Sequence, residues 1–481
     1  MPGTRATSAS LDLHIELSGT RPRAALESAL REAVRGGRLA AGAALPSSRA
    51  LAADLGTARN TVAEAYAQLV AEGWLGARHG AGTWVAERTA QVQRPAAGTG
   101  RGTRRAARYD LRPGMPDLSA FPRSAWLAAA RRALTYAPAS DLGYSAMRGL
   151  PVLRAALAGY LARVRGVSVT PDRVLVCAGI SQGLELLCDV LRLSGTRTLA
   201  VEAHGHQAHC EVARAAGMTL AAVPVDGRGA VLSGEAVPPD AGALLLTPAH
   251  QYPLGVALAP ERRRQAVDWA ARTGAFVIED DYDGEFRYDR QAVGALQALA
   301  PEHVVYAGTA SKSLAPGLRL GWLVLPERLI GEVARAKRAA GRLSSSLDQL
   351  ALAEFISSGG YDKQVRRARL AYRQRRDRLV SALAREVPEV SVSGIAAGLH
   401  AVVRLPPGVT EEDVTTRAAA SGLTLHGLAT CRTAGAQELG AAVIVGYGTP
   451  PAHAFSTAVA RLCAVLRQAI DQPKQAGPWS A

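Results

Sequence analysis

Residues 306–322 read YAGTASKSLAPGLRLGW, an apolar run that turns through hydroxyls onto Lys312 and, seven residues later, onto Arg319. The lysine is conspicuous. Of 56 lysines and arginines only Lys312, Lys337, Lys363 and Lys474 are lysines, and every basic position before Lys312 is arginine. A lysine amine can lose its proton and attack an aldehyde, whereas a guanidinium stays protonated. Thr309 and Ser311 flank it with hydroxyls, and Arg319 adds a guanidinium suited to a phosphate. Amine, hydroxyls and arginine together point to a phosphorylated aldehyde, pyridoxal phosphate.

Some thirty residues upstream stands FVIEDDYDGEFRY, residues 276–288, an apolar strand-like run ending in Glu279, Asp280, Asp281, Tyr282 and Asp283. Carboxylates at the end of a buried strand need a reason to be desolvated. A pyridine ring supplies one, because a carboxylate must keep its nitrogen protonated for the ring to draw electrons. Strand, Asp, Tyr and then strand, Lys is a constellation rather than a single motif. From residue 113 to about 470 the sequence resembles the fold-type-I aminotransferases. The resemblance implies that Lys312 carries the cofactor as an internal aldimine and that Asp280 pairs with the pyridine nitrogen. It also implies that Tyr282 meets the ring hydroxyl, while Thr309, Ser311 and Arg319 hold the phosphate.

Bulk properties bound the rest. A chain of 481 residues is expected to hold two or three domains. Hydrophobic residues at 48% and charged residues at 20% are those of a globular protein, and no apolar run is long enough for a transmembrane helix. The start, MPGTRATSASLDLHIEL, lacks the apolar core of a signal peptide. Five scattered cysteines without a CxxC pair read as reduced, so the expected compartment is the cytoplasm. Net charge is +15, and residues 1–108 hold 15 arginines against 8 acidic residues. A basic N-terminal part implies an anionic partner.

That part reads as helix 22–37 closed by Gly36-Gly37, a second helix started by Pro46-Ser47, a turn at Gly56, and a third helix to about Glu72 that Thr57 can cap. Two short helices around a glycine turn form a helix-turn-helix, and WLGARHGAGTWVA after them is a plausible wing. Residues 12–86 resemble the GntR-type winged helix. The resemblance places Arg49, then Thr57, Arg59, Asn60 and Thr61, then His79 and Gly80 of the wing tip, on double-stranded DNA. Arg59 and Asn60 have the donors to read base edges, and Arg49 and the hydroxyls suit phosphates. Residues 87–110, rich in Arg, Gly, Ala and Thr, are expected to be a flexible basic linker.

The body, residues 111–475 with a small α+β subdomain at about 370–475, alternates strands and helices through 170–325, which implies a mostly parallel α/β sheet. VLVCAGISQG makes a glycine-flanked turn into a helix, a ready anion site, so Ser181 and Gln182 are phosphate candidates. By the aminotransferase resemblance Tyr144 reaches the phosphate of a neighbouring subunit, and His206 takes the place of the aromatic stacked on the ring. His204 stands where relatives carry proline. The run His204, His206, His209, Cys210 lacks a second cysteine pair or carboxylate cluster, so no metal is assigned to it. Arg432 is the candidate for an effector carboxylate.

One departure sorts the possibilities. Residues 250–255 read HQYPLG where ordinary aminotransferases carry an NPTG-type motif. HQxPxG resembles the MocR/GabR branch of GntR-type regulators, as does LDQLALAEFISSGGYDKQVRRARLAYRQRRDRL, although Gln364 and Ala368 replace its usual His and Met. The resemblance implies a regulator that senses an amine, an amino acid or pyridoxal phosphate itself through an aldimine at Lys312. It also implies a homodimer, head to tail. A genuine aminotransferase acting on an amino acid is the alternative.

Overall fold

The computed structural model describes residues 22–78, 82–86, 109–144, 146–234, 236–288 and 293–472. Two compact units divide the chain, Met1–Thr103 and Arg104–Ala481.

In the first unit α1 (Pro22–Arg35) is followed by β1 (Ala44–Leu45), α2 (Ser48–Asp54), α3 (Arg59–Ala71), β2 (Leu75–Arg78) and β3 (Gly82–Val85), and the strands form one antiparallel sheet in the order β1-β3-β2. Leu26, Leu30, Leu51, Val62, Leu69, Leu75 and Val85 close its core, so a helical trio and a small hairpin share one apolar centre. The Ser47 side chain accepts the Ala50 amide at 3.2 Å and starts α2, as the sequence indicated. Thr57 does not cap α3. Gly56, in the left-handed region, ends α2 by a Schellman arrangement in which the Thr57 amide donates to Ala52 at 3.0 Å. Thr57 is spent on that stop, and the N-cap of α3 falls one residue later, on Ala58, without a side-chain bond. His79 and Gly80, like residues 12–21, lie outside the described residues.

The second unit opens with β4 (Tyr109–Asp110), α4 (Arg123–Tyr136), α5 (Pro151–Arg165), β5 (Val174–Cys177), α6 (Ile180–Leu193), β6 (Thr198–Glu202), α7 (Gln207–Ala215) and β7 (Thr219–Val223). A hairpin of β8 (Val225–Asp226) and β9 (Gly229–Ala230) precedes β10 (Ala241–Leu246), α8 (Pro260–Thr273), β11 (Phe276–Asp280), β12 (Val304–Thr309), β13 (Gly321–Val324), α9 (Glu327–Ala339) and α10 (Ser346–Ser357). Seven strands form the sheet β5-β13-β12-β11-β10-β6-β7, parallel except for β13, which runs against both neighbours. Alternation assigns the two faces. Leu175, Cys177 and Leu323 pack toward α6, α7 and α9, whereas Val174, Val176, Trp322 and Val324 pack toward α5 and α10. All residues of β11 and β12 are buried, as expected for central parallel strands covered on both sides.

The long α11 (Gly360–Glu386) leads into β14 (Ser391–Ser393), β15 (His400–Arg404), α12 (Glu411–Ala420), β16 (Leu423–Thr424), β17 (His426–Gly427), β18 (Ala442–Gly446) and α13 (Ala452–Asp471). Strands β14-β15-β18-β17 make a second, antiparallel sheet. Of the expected linker, residues 87–108 lie outside the described residues, and residues 109–110 are strand: β4 pairs in parallel with β16 as a separate two-stranded sheet, so the body begins against its own C-terminal part. Among the described residues no helix is long and apolar enough to cross a membrane.

Candidate functional site

The carboxyl ends of β11, β12 and β5 meet at one place, where sheets of this kind bind ligands. Asp280 closes β11 opposite Ala307 of β12, and Thr309 closes β12 opposite Gly321 of β13. The chain then turns through Lys312 and a short 3-10 turn to Arg319, whose φ of 51° is the one positive value at a non-glycine among the described residues. This backbone brings the Arg319 guanidinium against Gly179 at the entry to α6, where a Cβ would sit 3.7 Å from it. Gly179 itself has φ 99°, so only glycine suits this position. Gln182 folds back to accept the Ala178 amide at 2.8 Å, and the Thr309 hydroxyl lies 2.9 Å from that of Ser311. Ser181, Gln182, Thr309, Ser311 and Arg319 therefore flank one helix N-terminus, a polar seat with the charge and donors for a phosphate.

Lys312 is half-buried and donates to the Gly114 carbonyl at 2.6 Å. Burial lowers its pKa, opposed by Asp280 and Asp283, so the neutral amine is closer to hand than on a surface lysine. Asp280 is 3% exposed, with His209 Nδ1 3.5 Å from Oδ2, while Oδ1 has no hydrogen-bond partner. Burial pushes its carboxyl well up, although the Lys312 charge pulls it down. An unpaired buried carboxylate oxygen is costly, and a ligand that brings a ring N–H to it relieves the cost. This orphaned oxygen, facing a site that also holds an amine and an anion seat, fits pyridoxal phosphate.

Above Asp280 the His206 ring stacks on Tyr252 with centroids 5.0 Å apart and on His209 at 4.7 Å. Burial first, then the Lys312 charge, lowers His206 to about 4, so it is neutral at pH 7. His204, of the same run, pairs by its backbone with Arg432. Arg432 thus borders the His206 loop, its guanidinium on the exposed Glu438. Tyr144 is 96% exposed, and among the described residues nothing joins it to the other candidates. The Tyr282 hydroxyl lies 3.1 Å from His250 Nδ1, which is 2.9 Å from Asp283 Oδ2. Gly114 was not singled out from the sequence, and His209, Asp283 and His250 stood there only within the histidine run, the carboxylate cluster and HQYPLG, without a role at this site. HQYPLG marked the place of His250, and the spacing of His206 and His209 on one helix turn was the available signal for His209.

Glu202 lines the small cavity between His206, Tyr252 and Asp280. Thr247 donates to it from its hydroxyl at 2.6 Å and its amide at 3.2 Å, yet burial raises its carboxyl from 4.5 to about 7. The folded state therefore holds this proton more tightly than the unfolded chain. Its contribution to stability is complete below the unfolded pKa and is lost as pH rises through about 7. The cofactor-free Glu202→Gln protein should lack that loss: between pH 5 and pH 8 wild type should give up ~3 kcal/mol more than the variant in urea melts. Parallel pH profiles would remove Glu202 as the source.

In the first unit Arg49 and Arg59 are exposed at the starts of α2 and α3, and among the described residues neither has an ion pair. Arg23 and Arg31, by contrast, are held by Glu27, Glu64 and Glu72. Asn60 is exposed beside Arg59, and Thr61 and Thr57 are half-buried. Free cations at an open helix N-terminus are the electrostatics that DNA phosphates require.

Residues 115–434 match aminotransferase class I and II, and residues 22–85 match bacterial regulatory proteins of the gntR family. The pyridoxine biosynthesis transcriptional regulator PdxR of Corynebacterium glutamicum is 34% identical over 82% of this chain and 86% of its own. A probable rhizopine catabolism regulatory protein, MocR of Rhizobium meliloti, is 35% identical over 81% of this chain and 83% of its own. Among solved structures, LysN, an α-aminoadipate aminotransferase of Thermus thermophilus complexed with N-(5'-phosphopyridoxyl)-L-leucine, overlaps 75% of this chain and 92% of its own with a TM-score of 0.66 at 25% identity. An archaeal alanine:glyoxylate aminotransferase overlaps with a TM-score of 0.68 at 22% identity, covering 75% of this chain and 91% of its own, a likeness of fold.

Proposed function

Since this chain belongs to the GntR-type regulators of the MocR/PdxR kind, in which a helix-turn-helix head precedes an aminotransferase class I and II body, we propose that its Lys312 site is where a small ligand is sensed. The chain is a pyridoxal-phosphate-dependent DNA-binding transcriptional regulator, and the plain aminotransferase alternative gives way to the regulators among its relatives. The observation that carries the sensing reading is the unpaired Asp280 Oδ1 near the half-buried Lys312 amine, in the same chain as a basic winged helix.

Bound pyridoxal phosphate supplies an aldehyde that condenses with primary amines and a ring that draws electrons once its nitrogen is protonated. The Lys312 amine is the group for that aldehyde, and Asp280 Oδ1 the group that keeps the proton on the ring nitrogen. Ser181, Gln182, Thr309, Ser311 and Arg319 would hold the phosphate, His206 and Tyr252 would line the ring's side of the site, and Tyr282 would meet its phenolic oxygen. Arg432 exchanges Glu438, a solvent-exposed partner, for the carboxylate of an amino acid effector, so the sensed class is an amine, an amino acid or the cofactor itself. The effector acts only if it binds one arrangement of the protein better than another; a tenfold preference is about 1.4 kcal/mol of coupling.

The working form is a homodimer, arranged head to tail. Leu127 and Leu134 are exposed one heptad apart on α4, and Tyr136, Leu142 and Tyr144 follow in the same surface stretch, an apolar face that a second chain would cover. Tyr144 then completes the partner's phosphate seat. The five free, buried cysteines suit a reducing cytoplasm. Footprinting of the upstream DNA tests the function: protection should change in extent when the effector amine is added. Protection that no amine and no pyridoxal phosphate alters would contradict it. Sedimentation should give the mass of two chains for wild type and of one for Leu127→Glu combined with Leu134→Glu.

A further inference from the structure

The first residue of the HQYPLG motif is among the most enclosed polar groups in the body. His250 is 2% exposed and Asp283 is 2% exposed. Nδ1 of His250 is 2.9 Å from Asp283 Oδ2 and 3.1 Å from the Tyr282 hydroxyl, so one nitrogen lies within reach of both. Gly398, at φ 71°, lets the backbone lie directly on the pair, since a Cβ there would collide with the His250 ring and the Asp283 carboxylate. His400 closes the other side, its ring centroid 5.1 Å from that of His250 and its Nε2 3.0 Å from the Pro253 carbonyl.

The chemistry of the pair favours one tautomer. A carboxylate oxygen accepts, so the tautomer with its hydrogen on the His250 nitrogen that faces Asp283 satisfies both groups of the pair. With Nδ1 protonated, that nitrogen cannot accept the Tyr282 proton. Asp283 is the competing acceptor for it: its charge, after burial, is the main influence that holds the Tyr282 phenol well above the usual range, and a hydrogen bond to it adds to the effect. Asp280 and Tyr252 face Tyr282 from β11 and the HQYPLG turn. Around His400 stand His250, Lys312 and His206, and burial with the His250 neighbour lowers His400 to about 3, so it adds no charge to the cluster at pH 7.

We propose that His250 is a positioning residue: by donating its Nδ1 proton to Asp283 Oδ2 it draws on that carboxylate's charge and weakens its hold on the Tyr282 hydroxyl, whose proton then turns more readily to an acceptor oxygen of the bound cofactor. The motif thereby does indirectly, through Asp283 and Tyr282, what a direct donor to that oxygen would do. The inference rests on the reading of Tyr282 as a cofactor contact, and the experiment separates the two.

Full-length protein loaded with pyridoxal phosphate is titrated with acid and base while its visible absorption is followed, for wild type, Tyr282→Phe, His250→Leu, His250→Asn and the Tyr282→Phe, His250→Leu double variant. Removing a donor from an oxygen that carries negative charge favours protonation nearby, so Tyr282→Phe should raise the midpoint by about one pH unit, tenfold in proton affinity. His250→Leu should raise it in the same direction, and the double variant should move no further than Tyr282→Phe alone. His250→Asn, whose amide can still donate to Asp283, should stay within about 0.3 unit of wild type. If Tyr282→Phe leaves the midpoint in place, the cofactor contact itself is wrong and the inference falls with it. If Tyr282→Phe shifts while His250→Leu does not, if the two shifts add, or if His250→Asn shifts as far as Tyr282→Phe, the positioning role of His250 is overturned while the cofactor contact stands.

Discussion

Lys312→Ala protein, incubated with pyridoxal phosphate and reduced with borohydride, should carry no covalent adduct, where wild type carries one on the peptide that contains Lys312. Capture needs an amine that is near the anion seat, accessible to a ligand and able to lose its proton. Lys312 meets these terms: it is only partly buried, it bonds to Gly114 and its pKa is lowered by burial. Lys337 cannot replace it, because its ammonium is 0% exposed and is tied to the carbonyls of Met147 and Val176 at 2.9 and 2.7 Å. Lys363 is an exposed residue on α11 without the surrounding groups. The effect should therefore be a loss of site-specific adduct rather than a reduction, and arginine at 312 should not restore it. DNA affinity in the absence of effector should remain within about twofold, since the substitution removes no cation from the winged helix. A reducible adduct of unchanged yield in the variant would move the covalent site elsewhere.

Arg59→Ala should lose specific DNA binding while retaining bound cofactor. Arg59 is the first residue of α3, exposed and without an ion pair among the described residues, so its donors are available for a base edge. Removing one such contact costs about 1–3 kcal/mol, roughly 5- to 150-fold in affinity for the operator, with little change for unrelated DNA. Arg49→Ala should behave differently. As a phosphate contact it should weaken all sequences alike and lower the salt slope by about one. Competition titrations at several salt concentrations distinguish the two. Wild-type operator affinity in the Arg59 variant would mean that α3 is not the reading helix.

The fold was legible because its central strands are short apolar runs that end in chemistry. FVIED and VVYAGT are buried along their whole length, and the residues that follow each, Asp280 onward and Ser311-Lys312, are what the resemblance predicted to lie together. Scarcity of lysine drew attention to Lys312 but would have drawn it equally to Lys337, whose role as a buried strut between Met147 and Val176 has no signature in sequence. Contacts set by distant segments were likewise hidden. The lysine's partner, Gly114, lies 198 positions away, and the union of β4 with β16 joins Tyr109 to Leu423. The capping error at α3 has a local cause: Thr57 was read as the cap of the third helix when, with the turn residue Gly56, it closes the preceding one. His250 and Asp283 were visible as residues but not as a pair, because only the fold of the sheet ends brings the HQYPLG turn beside Tyr282.

The central claim is that one chain reads DNA and that a ligand at Lys312 changes how tightly it does so. Fluorescence anisotropy of a labelled upstream fragment, titrated with cofactor-loaded protein at fixed salt, tests it with and without pyridoxal phosphate in excess and with a panel of amines and amino acids. Fixed salt matters because a basic head binds any DNA when salt is low. Wild type should bind the fragment specifically, with an affinity that shifts about tenfold, near 1.4 kcal/mol, for one ligand class, and Lys312→Ala should bind without that shift. Specific binding indifferent to every ligand, or an equal shift in the Lys312 variant, would contradict the account.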